Sequence, residues 1–399
     1  MTIKMARVGD IAEQVRGVTY QKEEVRQGPT SSHVALLTAG NITESGISYD
    51  DVVYVPQSRV SAKQTLRKGD VLIAASSGSL RVVGKAGRIK ADVDATFGAF
   101  CKVLRPGVVV DSVYFSHFFR TPEYRSRISH LAAGANINNL RNEDLNDLEV
   151  PIPPIPEQRR IAAILDQADE LRTKRRRALT LLDELADSVF LEMFGGDEYM
   201  LSAPKLSLGS VMETRGGLQV THARQDLPLE VPYLRVANSK RGHMDLSEIK
   251  TMRVTPIELD RTRLKEGDLL LVEGHGNASE VGRAARWRFS DMDVIHQNHL
   301  IRVRPKPEVL NATFVEYYLN SSFVRSYWSK VAKTTSGLNT INMSNVKAVQ
   351  VLVPSLSRQN KFAAAVGRLE AASEQQVKEL ALLDELFDSL QHRAFRGKL

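Results

Sequence analysis

The chain carries the same sequence pattern twice. The segment Leu182–Val189, LDELADSV, returns as Leu383–Leu390, LDELFDSL, 201 positions later. Further upstream, Leu66–Asp70 matches Leu264–Asp268 at a shift of 198 positions. A shift this constant indicates two copies of one domain-sized unit that differ by small loop insertions. The period is far longer than that of a solenoid repeat, so we expect a pseudo-twofold internal repeat with two similar but non-identical sites.

Composition places the chain among ordinary soluble globular proteins. Its 399 residues are enough for two to three domains, and 42% of them are hydrophobic and 25% charged. The single cysteine, Cys101, excludes an intramolecular disulfide. A single cysteine, with no secretory signal and no uncharged stretch of membrane-spanning length, leads us to expect a cytoplasmic protein without membrane contact. The formal net charge of +7 favours a polyanionic partner.

Each copy begins with a globular part in which short apolar runs alternate with turn signals. In residues 1–150 we predict strands at Val52–Val55, Asp70–Ala74 and Phe97–Leu104, and a helix at Tyr114–Arg127. In residues 197–352 we predict strands at Asp268–Val272 and His299–Val303, and a helix at Phe314–Val331. Both parts therefore belong to the α+β class.

Proline marks the end of the first globular part, at Pro151, Pro153, Pro154 and Pro156. So dense a group cannot lie in a helix interior, and it indicates a domain boundary. The pattern changes from Glu157 onward, and we predict helical spacers at residues 151–196 and 353–399.

Sevenfold spacing in the two spacers predicts two long helices. In the first spacer one row is Ile161, Ala168, Arg175, Leu182 and Val189, and a second row offset by three is Ile164, Leu171, Ala178 and Leu185. In the second spacer the rows are Phe362, Leu369, Gln376, Leu383 and Leu390, and Ala365, Ala372, Glu379 and Leu386. This is the seam of a coiled coil over more than four heptads, with a polar break at the equivalent place in each copy.

Two such helices in one chain most simply pair with each other as an antiparallel coiled coil. Antiparallel pairing brings Arg175 near Gln376 and Glu379, and a polar layer of this kind fixes the register. A helix of about 35 residues is roughly 50 Å long, so the pair would hold two globular domains at a fixed distance and in opposite orientations. The alternative reading of the heptads alone is a dimerisation stalk, and the duplicated globular domains favour the ruler.

Several segments resemble the specificity subunits of type I restriction-modification systems. Pro151–Leu165 and the heptad helix after it are similar to the central region of that family. The two globular parts open on Val8–Ile11 and Leu208–Val211, which look like the starts of two target recognition domains, and Ile137–Leu140 and Leu338–Ile341 resemble the motif before each helix. The resemblance spans the chain in the family's order. The second helix departs from it, with Ser355, Ser357 and Arg358 where the first has Pro154, Pro156 and Glu157.

The resemblance implies a non-catalytic DNA-binding subunit of a phage-defence system. Each globular domain would read one half of a bipartite, asymmetric target in double-stranded DNA, and the helices would set the spacer. The chain would dock two methyltransferase subunits, which methylate adenine with S-adenosylmethionine. It would also dock restriction subunits that translocate DNA with ATP and Mg²⁺. No cofactor is expected in this chain itself.

A search for catalytic motifs agrees with a non-catalytic role. Gly78–Ala86 resembles a phosphate-binding loop but has one residue too many between its glycines and lacks Ser or Thr after the lysine. His275, His296 and His299 with Glu273 lack the spacing of a metal site. For Asp70 and Asp268, a turn before a buried strand is a better explanation than a role as nuclease carboxylates.

Candidate DNA contacts are loop residues of the types that reach base edges and phosphates. They are Gln21, Lys22, Ser76, Ser77, Ser79 and Arg81 in the first copy, and Gln219, His222, Asn238, Lys240, Arg241, His275, Asn277, Lys333 and Thr334 in the second. The alternative for each is an ordinary solvated loop residue. The basic run Arg172–Arg177 is spread around a helix, which favours a solvated face or a partner contact over a DNA clamp.

Three functions are consistent with the sequence. The first and favoured one is a DNA specificity subunit. The second is an enzyme with unrecognised motifs, such as a fused nuclease or methyltransferase. The third is a coiled-coil scaffold with no nucleic-acid role, which would show no salt-sensitive DNA binding.

Overall fold

The structure, a computed structural model, describes residues 4–44, 46–132, 138–335 and 337–399. The chain divides into two compact units, Met1–Ala178 with Gln376–Leu399, and Leu179–Gln375. Each unit contains one globular part and a segment of each of two long helices. Ile137, the first residue of the Ile137–Leu140 motif, lies outside the described residues.

The first unit is built on two sheets. A four-stranded antiparallel sheet has the order Ala12–Arg16, Cys101–Pro106, Val71–Ala74, Ala86–Arg88. A three-stranded sheet has the order Ala95–Phe97, His33–Leu37, Val53–Pro56, with the first pair parallel. Two-stranded pairs are Met5–Arg7 with Glu149–Pro151, Ile42–Thr43 with Gly46–Ile47, and Ser76–Ser77 with Asn138–Asn139. The short helices are Val8–Ile11, Ser112–Phe118, Pro122–Ala132 and Asn142–Asn146, with 3₁₀ turns at Lys22–Glu24, Ala39–Asn41 and Gln57–Arg59.

The second unit repeats this topology strand for strand in its two main sheets. The four-stranded sheet has the order Met212–Gly216, Leu300–Pro305, Leu269–Val272, Ala284–Arg286, and the three-stranded sheet Lys250–Val254, Leu229–Leu234, Ile295–His296. Smaller strands are Lys205–Ser207 with Gln350–Leu352, and Gly274–His275, Leu338–Thr340 and Lys333–Thr335. The short helices are Asp197–Ser202, Leu208–Val211, Pro256–Thr262, Ala312–Asn320, Ser322–Val331 and Met343–Ala348, with 3₁₀ turns at His222–Arg224 and Ala278–Glu280.

The central strand Val71–Ala74 shows why these runs are apolar on both faces. Val71 and Ile73 pack in a cluster with the aromatic residues of helix Ser112–Phe118. Leu72 and Ala74 pack on the opposite side, in a cluster with Phe97. Successive side chains of a strand point to opposite faces, so a strand with a core on each side reads as a continuous hydrophobic run. Leu269–Val272 is buried in the same way.

Three predicted elements differ from the structure. The predicted strand Phe97–Leu104 is two strands separated by a turn, in which the Cys101 amide donates to the Gly98 carbonyl at 2.8 Å. The predicted helix Tyr114–Arg127 is broken before Pro122, because proline lacks the amide that would continue it. The predicted helix Phe314–Val331 is likewise two helices, which meet at Ser321.

The two long helices are Ile155–Phe194, called here the central helix, and Leu356–Ala394, called the C-terminal helix. In the first unit the two helices run antiparallel. Residues with higher numbers in the central helix contact residues with lower numbers in the C-terminal helix. Arg172 pairs with Asp384 at 2.5 Å, and Arg175 pairs with Glu379 at 2.7 Å. Arg175 also hydrogen-bonds Gln376, so the polar layer lies where the sequence pattern predicts it.

In the second unit an aromatic cluster joins the same two helices. The ring centroid of Phe362 lies 5.6 Å from that of Phe190 and 5.5 Å from that of Phe194. The guanidinium of Arg358 donates to the Met193 carbonyl at 3.1 Å. Both ring pairs have the edge-to-face geometry that is favourable between aromatic side chains.

Apart from Glu379, the predicted second heptad row is wrong by one residue in both helices. Leu171, Leu185 and Leu386, predicted in the seam, are 48%, 48% and 50% exposed. The buried row lies four residues after the first row instead of three. In the central helix it contains Leu165 and Ala186, and in the C-terminal helix Val366, Phe387 and Ala394.

Candidate nucleic-acid interface

Five backbone segments meet at one edge of the first unit. Val18 bridges Gly98, whose amide donates to the Leu37 carbonyl at 2.9 Å. The Phe100 carbonyl accepts from the amide of Ala75 at 2.8 Å. The pair of short strands Ser76–Ser77 and Asn138–Asn139 completes the group. We call residues 17–20, 38–40, 75–78, 98–100 and 138–140 the first loop edge.

The second unit forms the same edge with the same backbone hydrogen bonds. Leu218 bridges Gln297, whose amide donates to the Leu234 carbonyl at 2.8 Å. The Glu273 amide donates to the His299 carbonyl at 3.0 Å. The strands Gly274–His275, Leu338–Thr340 and Lys333–Thr335 lie beside them. We call residues 217–219, 235–238, 273–276, 297–299, 333–335 and 338–341 the second loop edge.

One glycine in each unit makes the edge possible. A Cβ atom on Gly17 would lie 2.1 Å from the Gly98 carbonyl oxygen, and one on Gly217 would lie 2.2 Å from the His296 carbonyl oxygen. The backbones cross so closely that a larger residue would push the strands apart. The two edges are therefore equivalent in construction, whatever their side chains.

The structure brings some first-unit candidates to the first loop edge and separates others from it. Ser76 and Ser77 lie within the edge, and the Ser79 amide donates to the Ser77 hydroxyl at 3.2 Å. The exposed Arg81 lines a different cavity, of about 660 Å³, together with Lys85, Arg120 and Arg125.

Two further first-unit candidates lie just beyond the edge in sequence. Gln21 precedes a 3₁₀ turn that begins at Lys22, and its amide donates to the Glu24 carboxylate at 2.8 Å. Both side chains are exposed. They are therefore accessible to a ligand.

In the second unit the structure gathers three candidates in one small sheet. Lys333 and Thr334 pair with Thr340 and Asn339 across a short ladder, and the Thr334 hydroxyl donates to the Asn339 amide oxygen at 2.8 Å. His275 pairs with Asn339 on the other side.

Three further candidates around this edge, Asn277, Gln219 and His222, are exposed. The Asn277 side chain accepts from the Ser279 amide at 3.0 Å, and its backbone amide donates to Nδ1 of His275 at 3.0 Å. Gln219 and His222 are exposed in the segment after the glycine crossing.

The prediction that Asn238 contacts DNA is wrong. It is buried, and its Oδ1 accepts from the Arg235 amide at 3.0 Å. Its Nδ2 donates to the carbonyls of Asp245 and Glu248 at 2.8 and 2.9 Å. With both ends of the amide occupied by backbone groups, this side chain has a structural role, as Asn41 has at the matching position.

The Arg241 side chain forms contacts within the second unit. It donates to the Ser279 carbonyl at 2.8 Å and lies 3.8 Å from the Glu280 carboxylate. Its pKa is lowered, first by burial. Arg241 and the neighbouring Lys240 are both half-buried, so their contacts with DNA stay predictions.

The acidic residues before the central strands hold the fold. Asp70 accepts two hydrogen bonds of 2.8 Å from Arg105. Asp268 accepts bonds of 2.6 and 2.7 Å from Arg304. Both carboxylates are buried, and each accepts two hydrogen bonds from one guanidinium. This supports a structural role in the turn before a buried strand over a nuclease role.

The histidines near the second loop edge are not equivalent to one another. His296 is fully buried, and this burial lowers its pKa to about 4. Burial raises the pKa of Glu273, whereas His299 is exposed. Within residues 4–44, 46–132, 138–335 and 337–399, no group of three or more His, Cys, Asp or Glu side chains is placed to hold a metal ion.

Sequence reasoning missed one prominent residue of the first loop edge. Phe100 is 68% exposed at the tip of the turn after Gly98. The apolar run places Phe100 in the interior of the predicted strand Phe97–Leu104, where an aromatic residue is common. The glycine at position 98 is the available signal, because glycine inside a strand pattern often marks a bend.

Two loop edges of equal construction on duplicated α+β units, together with two long helices, define a protein with a twofold internal repeat. A family model described as the Type I restriction modification DNA specificity domain matches residues 2–181. The chain is 31% identical to the type I restriction enzyme EcoKI specificity subunit of Escherichia coli over 99% of its own length and 89% of that protein. It is 29% identical to the StySPI specificity subunit of Salmonella potsdam, over 99% and 88%.

Solved structures share the fold. The S subunit of a type I restriction-modification system from M. genitalium matches with a TM-score of 0.57 at 17% identity, over 99% of this chain and 96% of that one. A chain from a study of complex assembly and conformational transition of a type I R-M system matches with a TM-score of 0.53 at 17% identity, over 99% and 98%.

The protein belongs to the specificity subunits of type I restriction enzymes, and it is a non-catalytic subunit with DNA-recognition domains. The two long helices and the mixed helix and sheet architecture agree with that family. None of the helices in the described part of the chain has the length and apolar character needed to cross a membrane.

Proposed function

We propose that the protein reads a bipartite, asymmetric target in double-stranded DNA, one half with each loop edge. The main observation in support is that the two edges have the same backbone hydrogen bonds but different side chains. Phe100 in the first edge corresponds to His299 in the second, and Ser76–Ser77 correspond to Gly274–His275. Equal scaffolds approach DNA in the same way, and unequal side chains read different bases.

The polar groups at the edges suit this task. Serine, asparagine and histidine side chains donate to and accept from base edges, and Lys333 provides a charge for phosphate. Lys22 provides a second exposed charge beside the first edge. Affinity should therefore combine a salt-dependent phosphate contribution with a sequence-dependent base contribution.

The partners in this proposal are enzyme subunits that dock on the long helices. In the first unit Leu171, Val377, Leu382 and Leu386 are about half exposed or more. In the second unit Leu181, Leu185 and Leu191 are also about half exposed. Exposed leucines grouped along helices suit apolar partner helices.

Two subunits that methylate adenine with S-adenosylmethionine would dock there. Restriction subunits that translocate DNA with ATP and Mg²⁺ would join the assembly. This chain would supply the target sequence and leave the chemistry to those partners.

The proposal is tested by changing one edge at a time in the assembled methyltransferase. Alanine at Ser76 and Ser77 should relax the bases of one half-site only. Alanine at His275 and Asn277 should relax the bases of the other half-site only. If either pair of substitutions altered both half-sites equally, or if the target were a palindrome, the assignment of one half to each edge would be wrong.

Two alternative functions have their own signatures. A scaffold without a nucleic-acid role predicts that DNA affinity does not fall as salt rises, whereas phosphate contacts make it fall linearly on logarithmic axes. An enzyme predicts that the purified chain methylates or cleaves DNA without partner subunits.

A further inference from the structure

An apolar recess opens at the first loop edge, beside the polar loops. Its volume is about 380 Å³, and the side chain of Phe100 forms part of its wall. The other lining residues are Tyr20, Thr38, Ala39, Gly40, Ser76, Ser77, Gly78, Gly98 and Cys101. Most of them are small, and Tyr20 and Phe100 are the two aromatic residues in the lining.

Hydrogen bonds to its carbonyl fix the backbone of Phe100. Its carbonyl accepts from the amides of Ala75 at 2.8 Å and Ser76 at 3.0 Å. The next residue, Cys101, is buried in the core strand that follows. The ring is thus presented to solvent at 68% exposure from a fixed turn, although exposing an aromatic side chain forfeits its burial.

The chemistry of this recess differs from that of the rest of the edge. Base edges in the major groove carry hydrogen-bond donors and acceptors, and their one apolar group is the C5-methyl of thymine. Phenylalanine is among the side chains that contact this methyl group. We propose that Phe100 and its recess read the methyl group of a thymine in the half-site bound by the first unit.

The inference rests on the proposed function and deepens it by naming a base. It applies to one half-site only, because the second unit has different chemistry at the same place. Phe100 corresponds there to the exposed His299, and Ala75 corresponds to the half-buried Glu273. An imidazole and a carboxyl group favour hydrogen bonding over contact with a methyl group.

The test uses the complex of the full chain with its methyltransferase subunits, after its target has been read from methylated genomic DNA. Each thymine of the target is replaced in turn by uracil, which lacks only the methyl group. Binding should weaken roughly fourfold at one position of one half-site, the factor expected for one buried methyl group. Uracil at the other positions should not cause a loss of affinity that disappears in Phe100→Ala.

Variants of the chain then assign the effect to the recess. In Phe100→Ala the affinities for thymine and uracil at that position should become equal. Gly98→Ala should narrow the recess without removing the ring, because its Cβ would lie 3.4 Å from the Leu36 side chain and 3.7 Å from that of Tyr20. It should also reduce the discrimination between thymine and uracil.

Two matched controls remove other exposed side chains. Val108→Ala deletes an apolar side chain that is 99% exposed elsewhere in the first unit. His299→Ala changes the equivalent position of the second unit. Both should keep the fourfold discrimination, and thermal unfolding of every variant complex should match that of the parent, since Phe100 is largely exposed.

Three results would overturn the inference. The first is that the half-site bound by the first unit contains no thymine. The second is that the complex binds thymine and uracil equally at every position. The third is that Phe100→Ala still discriminates thymine from uracil. A rise in 2-aminopurine fluorescence that depends on Phe100, without discrimination of the methyl group, would show a wedge that unstacks bases and would also contradict it. All these outcomes presuppose a bipartite target, so they are distinct from failure of the proposed function, in which no bipartite target is found.

Discussion

The side-chain oxygen of Gln158 accepts a 2.8 Å hydrogen bond from the backbone amide of Asp111. Its amide nitrogen donates to the Pro153 carbonyl at 2.8 Å. In the second unit Gln359 accepts from the Asn311 amide at 2.8 Å and donates to the Pro354 carbonyl at 2.8 Å. One buried glutamine in each unit thus ties a globular part to the first turns of a long helix.

Replacing either glutamine with leucine should destabilise its unit. Gln158→Leu leaves the Asp111 amide without its partner, and an unsatisfied buried group costs about 1–3 kcal/mol. Gln359→Leu should cost a similar amount, because both glutamines are fully buried. Urea unfolding measures the loss. The control is Gln167→Leu on an exposed face of the same helix, and equal stability of Gln158→Leu and the control would contradict this account.

The buried His296 should make stability depend on pH. Its pKa is lowered to about 4, first by burial and also by the nearby Arg302, whereas an unfolded histidine titrates near 6.5. Between these values the unfolded state binds more protons. Stability therefore falls as the pH falls through this window, by up to about 1.4 kcal/mol per pH unit.

The first unit suggests the variant that removes this dependence. Phe97 pairs with Leu37 as His296 pairs with Leu234, so a phenylalanine fits the equivalent site. His296→Phe should flatten the decline in unfolding free energy from pH 6.5 to pH 4. The exposed His222→Ala should leave the slope unchanged. A slope that is the same in the parent and in His296→Phe would refute the assignment.

The polar layer between the long helices should tolerate exchange of its charges. Arg175 and Glu379 are each about one third exposed and lie 2.7 Å apart, so their pairing is worth about 0.2–1 kcal/mol. Arg175→Glu should destabilise the first unit, and adding Glu379→Arg should restore most of the loss in thermal unfolding. The exposed pair of Lys174 and Glu170 on one helix is the control, and exchange there should have little effect.

Shortening the helices should change the spacer of the DNA target. Removing seven residues between Ile161 and Val189, and seven between Phe362 and Leu390, keeps the heptad register and shortens each helix by about 10 Å. At 3.4 Å per base pair this corresponds to about three base pairs. Both half-site sequences should persist with a shorter spacer. A changed half-site with an unchanged spacer would contradict a ruler role.

The heptad register shows where sequence reasoning stopped short. The repeat and the first row follow from apolar spacing alone. The second row contains Arg172, which hides it among polar residues. In the structure the Arg172 guanidinium lies 4.2 Å from the ring centroid of Phe387 and pairs with Asp384. A charged side chain therefore occupies a position between the helices, because one neighbour is aromatic and the other is acidic.

The loop edges were harder to predict for a different reason. Ser76 and His275 could be proposed from their place after matched strands, because the repeat aligns those strands. Asn238 could not be separated from them, because its hydrogen bonds to distant carbonyls depend on a folded loop. The exposure of Phe100 likewise depends on a turn that interrupts an apolar run.

Adenine methylation in genomic DNA tests the central claim most directly. Cells that express this chain with its methyltransferase subunits are compared with cells that lack the chain, by single-molecule sequencing. We expect a bipartite, asymmetric methylated motif that disappears when the chain is omitted. Unchanged methylation without the chain, or a palindromic motif with it, would contradict the account.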